Sequence, residues 1–317
     1  MRPAACVEER TLRKIFTSSG KGAHAWRASL FFAFVFTLAL CAFAQTKGQT
    51  KSATPVAPPA LTRTTTRHEA RRLGYGSTLT IVGAPVGSIT VEAWSRDEID
   101  VTADIELHAD TEEDLALLAK VNSFVFDADG SHVRVVTTGT HDRKFMKKLK
   151  NFPARLSAMP WRIDYRIKVP AVVDVDVSAG RGALSFKDIE GSLQLNAGES
   201  DATFDLAGGD VTATILSGTV LFRANAESWR GRGATVRLVS GTMTIALPAR
   251  FNADIDASVL HTGEVAGQHD AFAPREDAPQ TSRSWSVRAG AGGPPLKFEV
   301  GDGAIRFAQL SEGKPKQ

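Results

Sequence analysis

The 317-residue chain has only two cysteines, Cys6 and Cys41, and both precede the point where an export signal is expected to be cut. A mature protein without thiols excludes disulfides, thiolate catalysis and cysteine-ligated zinc. Short chemical motifs are missing as well. No H-E-x-x-H occurs, and the seven histidines (His24, His68, His108, His132, His141, His261, His269) lack the close spacing that puts two imidazoles on one metal. No G-x-S-x-G occurs, so serines beside glycines are expected to bond their own turns rather than attack a substrate. The calcium nonapeptide G-G-x-G-x-D is absent too. The expectation is no catalytic residue, no metal and no cofactor.

An excess of one charge is also lacking. The formal +3 comes from the first 44 residues, where six basic side chains face Glu8 and Glu9, and the rest holds 32 basic and 33 acidic residues. A near-neutral mature protein has no broad positive field, so nucleic acid is not an expected partner.

Only one long apolar run is present. Residues 28–44 (ASLFFAFVFTLALCAFA) carry no charge, follow Arg27 and end in Ala42-Phe43-Ala44, the small-x-small pattern that precedes signal cleavage, here before Gln45. Export to the periplasm or cell surface follows, with an uncleaved inner-membrane anchor as the alternative. Leu40 before Cys41 does not fit a lipid-attachment motif, and Arg13-Lys14 lacks the second arginine of a twin-arginine signal. Residues 45–67, rich in Thr, Pro and Ala without apolar periodicity, read as a disordered linker. The last five, 313–317, read as a disordered tail.

From 68 to 312 the dominant signal is alternation with period two, as in Leu79 and Ile81, in Ile99, Val101, Ala103, Ile105 and Leu107, and in Val133 and Val135. Those are strands. One short helix is expected over 110–121, capped by Asp110, with Leu115, Leu118 and Ala119 on one face. The second half repeats itself. Gly180, Gly198, Gly218 and Gly241 each follow two small or apolar residues at spacings of 18, 20 and 23, with alternating apolar residues on both sides. Strand, glycine turn, strand, at a period of about 20 residues, is the rung of a β-solenoid. One rung cannot bury its apolar row alone, whereas stacked rungs bury a continuous column. The outward row would be Asp174, Asp176, Gln194, Thr212, Thr214 and Arg237.

Residues 165–220 (YRIKVPAVVDVDVSAGRGALSFKDIEG…LSGTV), 239–258 and 290–310, with their recurring S-G-x-[ILV] turns, resemble the bacterial "putative adhesin" domain-of-unknown-function family. Residues 87–105 (GSITVEAWSRDEIDVTADI) resemble that family's N-terminal strand pair. The resemblance implies an extracytoplasmic all-β solenoid and supplies no catalytic residues. Two insertions depart from it, at 139–160 and at 261–293 before a closing hairpin.

Acids at Asp174, Asp176, Asp201, Asp205, Asp254 and Asp256 are expected on the solvated outer face. The same spacing would allow a calcium edge or the paired carboxylates of a glycoside hydrolase, so a hydrolytic β-helix enzyme is the alternative to a non-enzymatic binding scaffold for adhesion or envelope-stress sensing. The first insertion carries the partner expectation. Arg143, Lys144, Lys147, Lys148, Lys150 and Arg155 stand against Asp142 alone, and Phe145, Leu149 and Phe152 recur at helical spacing. A basic amphipathic helix results, suited to an anionic membrane or an acidic polymer, or else to capping the open end of the stack.

Overall fold

The computed structural model describes residues 59, 61–74, 76–275, 278 and 280–310. The expected signal at 28–44 and tail at 313–317 lie outside the described residues, among which no helix is long and apolar enough to cross a membrane. In chain order the elements are β1 (Leu61–Arg72), β2 (Thr78–Val82), β3 (Ile89–Trp94), β4 (Glu98–Ala109), α1 (Glu112–Val121), β5 (Ser123–Asp129), β6 (His132–Thr138) and α2 (Arg143–Met146). They continue as β7 (Trp161–Pro170), β8 (Asp174–Ala179), β9 (Gly182–Lys187), β10 (Ser192–Leu206), β11 (Gly208–Ala224) and β12 (Arg230–Pro248). The last four are β13 (Ala253–Gly267), β14 (Phe272–Pro274), β15 (Ser284–Ala289) and β16 (Pro295–Leu310). The fold is mostly β, in one large 16-stranded sheet that does not close on itself.

Its heart is a parallel stack in register. Val175, Leu193, Val211, Ala234, Leu296 and Ile255 form one buried row across β8, β10, β11, β12, β16 and β13. Leu184, Ala202, Val220, Met243, Ile305 and Val265 form a second, with β9 in place of β8. At about 1.5 to 3 kcal/mol for each fully buried aliphatic side chain, such rows are the main stabilising term. The inward parity changes within a strand: in β11 the buried residues are Val211, Ala213 and Ile215, then Val220, Phe222 and Ala224. A strict period of two forbids that change unless the backbone bends. The bend falls where Gly218, Gly241, Gly303 and Gly263 stand side by side, with φ of 131°, 142°, 140° and 125°. Both arms then face the same core, and Phe222 on the second arm of β11 meets Phe298 on the first arm of β16 edge to face at 5.1 Å.

Several expectations are corrected. In space Gly218 aligns with Ser200 and Gly182 rather than with Gly198 and Gly180, so successive parallel strands are offset by 18, 18 and 23 residues. Ser200, only 3% exposed, stands in for the glycine and donates from its Oγ to the Gly180 carbonyl at 3.1 Å. β16 is one continuous strand inserted between β12 and β13, not a closing hairpin. β3 and β4 are not paired with each other, because β7 lies between them. The linker expected over 45–67 overlaps β1, which pairs residue by residue with β4 from Leu61↔Ala109 to Arg72↔Glu98. Threonine and arginine suit an edge strand whose outer side meets solvent, and such a strand shows no clean apolar alternation.

The ends of the stack are covered antiparallel, by β4, β1 and β5 on one side and by β15 and β14 on the other. The second insertion is therefore mostly structure: β13 runs to Gly267, and β14 and β15 shield its first arm. Thr111, not Asp110, caps α1, accepting from the Asp114 amide at 3.2 Å.

Candidate contact surface

The 139–160 insertion leaves the sheet between β6 and β7. Gly139 is required at its start, because a Cβ there would strike Asn122 and the Trp161 ring. Asn122 Oδ1 accepts from the Thr140 amide at 2.9 Å and fixes the exit direction. Asp142 then caps α2, accepting from the amides of Lys144 and Phe145 at 2.8 and 3.1 Å, and those bonds, the Phe145 one first, hold its carboxyl below the usual aspartate value.

The expected amphipathic helix over this segment does not form. α2 is four residues long, Asn151 takes a left-handed φ of 65°, and a short 3-10 helix follows at Ala154–Ala158. Pro153 cannot donate a helical hydrogen bond, which separates the two pieces. Phe145, Leu149 and Phe152 are half-buried, with Phe152 packed on the core, and Leu156 is fully buried. Arg155, expected among the surface cations, instead makes two hydrogen bonds to Asp114 of α1, at 2.5 and 2.7 Å. The insertion is thus clipped down by its apolar side chains and one arginine.

The five remaining cations, Arg143, Lys144, Lys147, Lys148 and Lys150, are all exposed, and none makes an ion pair among the described residues, although Lys144 is near enough to Asp142 to help hold its carboxyl down. Elsewhere many surface charges are ion-paired or stand in register with charges of opposite sign. On the outer face of the second arms, Asp100, Lys168, Glu92, Lys187, Asp205 and Arg223 stand in register on β4, β7, β3, β9, β10 and β11, alternating in sign at every step. Lys187 reaches Glu92 at 2.8 Å. Such a row rewards the correct register and penalises slippage, because like charges would otherwise face each other. Sequence inspection missed it, since its six members come from strands up to 131 residues apart in the chain.

The acids weighed as a calcium edge or catalytic pair serve the sheet. Asp174 accepts from the Ser192 amide at 2.9 Å, and Asp201 accepts from the amide and hydroxyl of Thr219 at 3.0 and 2.6 Å, each linking one strand to its parallel neighbour. Asp254 pairs with Arg288, and Asp256 accepts from Ser286. No group of three or more potential ligands that could hold a metal occurs among the described residues. Two carboxylates do stand directly opposite one another, Asp104 on β4 and Asp164 on β7. Hydrogen bonds from Thr66 and Arg166 hold Asp104 below the ordinary value. Burial pushes Asp164 upward, but Arg162 and Ser88 outweigh it, and its net shift is also downward. Glycoside hydrolysis needs one carboxyl shifted upward to serve as general acid, whereas both shifts in this pair run downward.

No family model matches the chain, and no curated protein matches it. Among solved structures, a "putative cell adhesion protein" from Clostridium sporogenes is 12% identical, covering 78% of this chain and 100% of its own, with a TM-score of 0.39. A "putative adhesin" from Bacteroides fragilis is 8% identical, covering 78% and 97%, at 0.22. A "putative lipid binding protein" from Parabacteroides distasonis is 9% identical, covering 77% and 96%, at 0.23. At TM-scores below 0.5 these likenesses carry nothing over to this chain.

Proposed function

We propose that this is an exported envelope protein that presents a rigid β-solenoid as a non-enzymatic binding scaffold, of the adhesin-like kind its sequence resembles. In this reading each bent parallel strand is one rung, and the 139–160 insertion is the contact with an anionic envelope surface, serving adhesion or envelope sensing. One observation carries it: five exposed cations, none with an ion-pair partner among the described residues, gather within eight residues. The half-buried Phe145, Leu149 and Phe152 favour attraction by charge from outside over insertion of apolar side chains into a bilayer. No observation favours the hydrolytic alternative.

Binding to vesicles rich in anionic lipid and to an acidic polysaccharide, measured across a salt series, tests the reading. The wild-type protein binds at low salt and releases as the Debye length shortens. Replacing Lys144, Lys147, Lys148 and Lys150 with Ser leaves the fold unchanged and removes most of that binding. Wild-type protein that binds neither probe at low salt would make the insertion a cap alone. Intact mass of the exported protein, expected to begin at Gln45, separates a cleaved signal from an anchor.

A further inference from the structure

At the opposite end of the sheet order from the insertion, beside β14 and β15, lies a cleft of about 330 Å³. Its walls include Trp285, Phe272 and Pro274, and around them stand Gln268, Asp270 and Gln280. We infer that this cleft binds a neutral saccharide unit.

The aromatic wall is built rigidly. Trp285 stacks on Phe307 at 5.7 Å with an interplanar angle of 7°, and Phe272 meets Phe307 edge-on at 5.1 Å. His269 stacks on Phe272 at 4.8 Å and is itself fixed at both ring nitrogens, donating from Nε2 to the Pro248 carbonyl at 2.9 Å and accepting at Nδ1 from the Ala271 amide at 3.2 Å. The indole N–H is already used, donating to the Thr281 carbonyl at 3.1 Å, so the ring offers a π surface rather than a donor.

Covering the end of the stack explains why aromatic rings sit on Phe307. It does not explain why Trp285 and Phe272 remain half-exposed, nor why three polar side chains gather beside them uncommitted. Gln268, Asp270 and Gln280 are exposed and make no hydrogen bond to any described residue, whereas most outer-face acids have partners. An apolar wall matches the C–H face of a pyranose ring. Amides that donate and accept, beside an accepting carboxylate, match its vicinal hydroxyls. The volume is at the small end of ligand sites, suiting one or two sugar rings. With no arginine or lysine lining it among the described residues, the cleft favours an uncharged sugar over a phosphorylated one.

The test follows the Trp285 indole N–H resonance of the folded protein during titration with maltose, cellobiose, lactose and chitobiose, each to about 10 mM, where a Kd of about 1 mM gives near saturation. At least one sugar is expected to give a saturable shift confined to this end. In a Gln268→Ala, Gln280→Ala variant of unchanged melting temperature the affinity should fall roughly tenfold or more, as expected from losing hydrogen bonds to the sugar hydroxyls. No shift with any of the four sugars overturns the inference, and so does a shift of equal affinity in the variant. Neither outcome bears on the lysines of the insertion.

Discussion

Arg155 holds Asp114 through both carboxylate oxygens, and the Asp114 side chain is only 4% exposed, so a single ion pair ties the 139–160 insertion to α1. Two parallel charge-assisted bonds fix orientation as well as position. Losing Arg155 leaves the shielded Asp114 carboxylate with an unmet demand, whereas the exposed Arg155 would find water.

The first prediction concerns that clip. Arg155→Ala strands the shielded Asp114 carboxylate and should raise tryptic cleavage at Lys144, Lys147, Lys148 and Lys150 several-fold without unfolding the sheet. Arg155→Lys, keeping charge but losing the two-pronged geometry, should fall between wild type and alanine. Peptide mapping of a limited digest reads this directly. Unchanged cleavage in the alanine variant would mean that Leu156 and Phe152 hold the segment alone.

Register is tested at adjacent residues of β8. Val175 is 3% exposed and lies between Leu79 and Leu193, whereas Asp176 points outward between Thr80 and Gln194. Val175→Asp buries a carboxylate without a partner, costing several kcal/mol, and should abolish a cooperative thermal transition or prevent accumulation. Asp176→Val should stay within about 1 kcal/mol of wild type by urea unfolding. Equal tolerance of the two changes would place the wrong side of β8 in the core.

A glycine of the bend supplies the third prediction. Gly303 has a φ of 140°, and a Cβ there would collide with the Gly241 carbonyl oxygen of the neighbouring strand. Gly303→Ala should therefore cost more than the ~1 kcal/mol of an ordinary glycine replacement. Gly130→Ala, also at positive φ but with open space around it, should cost less. Paired urea midpoints compare them.

Acid should loosen the β1–β4–β7 region. The carboxyls of Asp104 and Asp164 are held below the ordinary value of 3.8, so the folded state binds fewer protons than the unfolded one. Their contribution is fully present above that value and is lost as pH falls through it toward the lower folded values. Melting temperature measured from pH 6 down to about 2 should fall more steeply for wild type than for Asp104→Asn. Parallel profiles would show that the pair contributes nothing to acid sensitivity.

The sequence by itself determined the β class and the inward rows, because side-chain alternation is local and survives without knowledge of partners. Val175 and Val177 on one side and Asp174 and Asp176 on the other were legible for that reason. It did not reveal which glycines align, since Ser200 fills the place of one, nor that β16 inserts between β12 and β13 or that β7 separates β3 from β4. Strand order is a property of long-range pairing, and period two is blind to it. The five cations of the insertion could be read in advance, but the failure of the expected helix could not, because Pro153, Asn151 and the burial of Leu156 decide the backbone there. The aromatic cleft and the alternating charge row exist only once distant strands are adjacent. Tertiary structure alone decided them, since cross-strand contact joins residues that chain separation keeps apart.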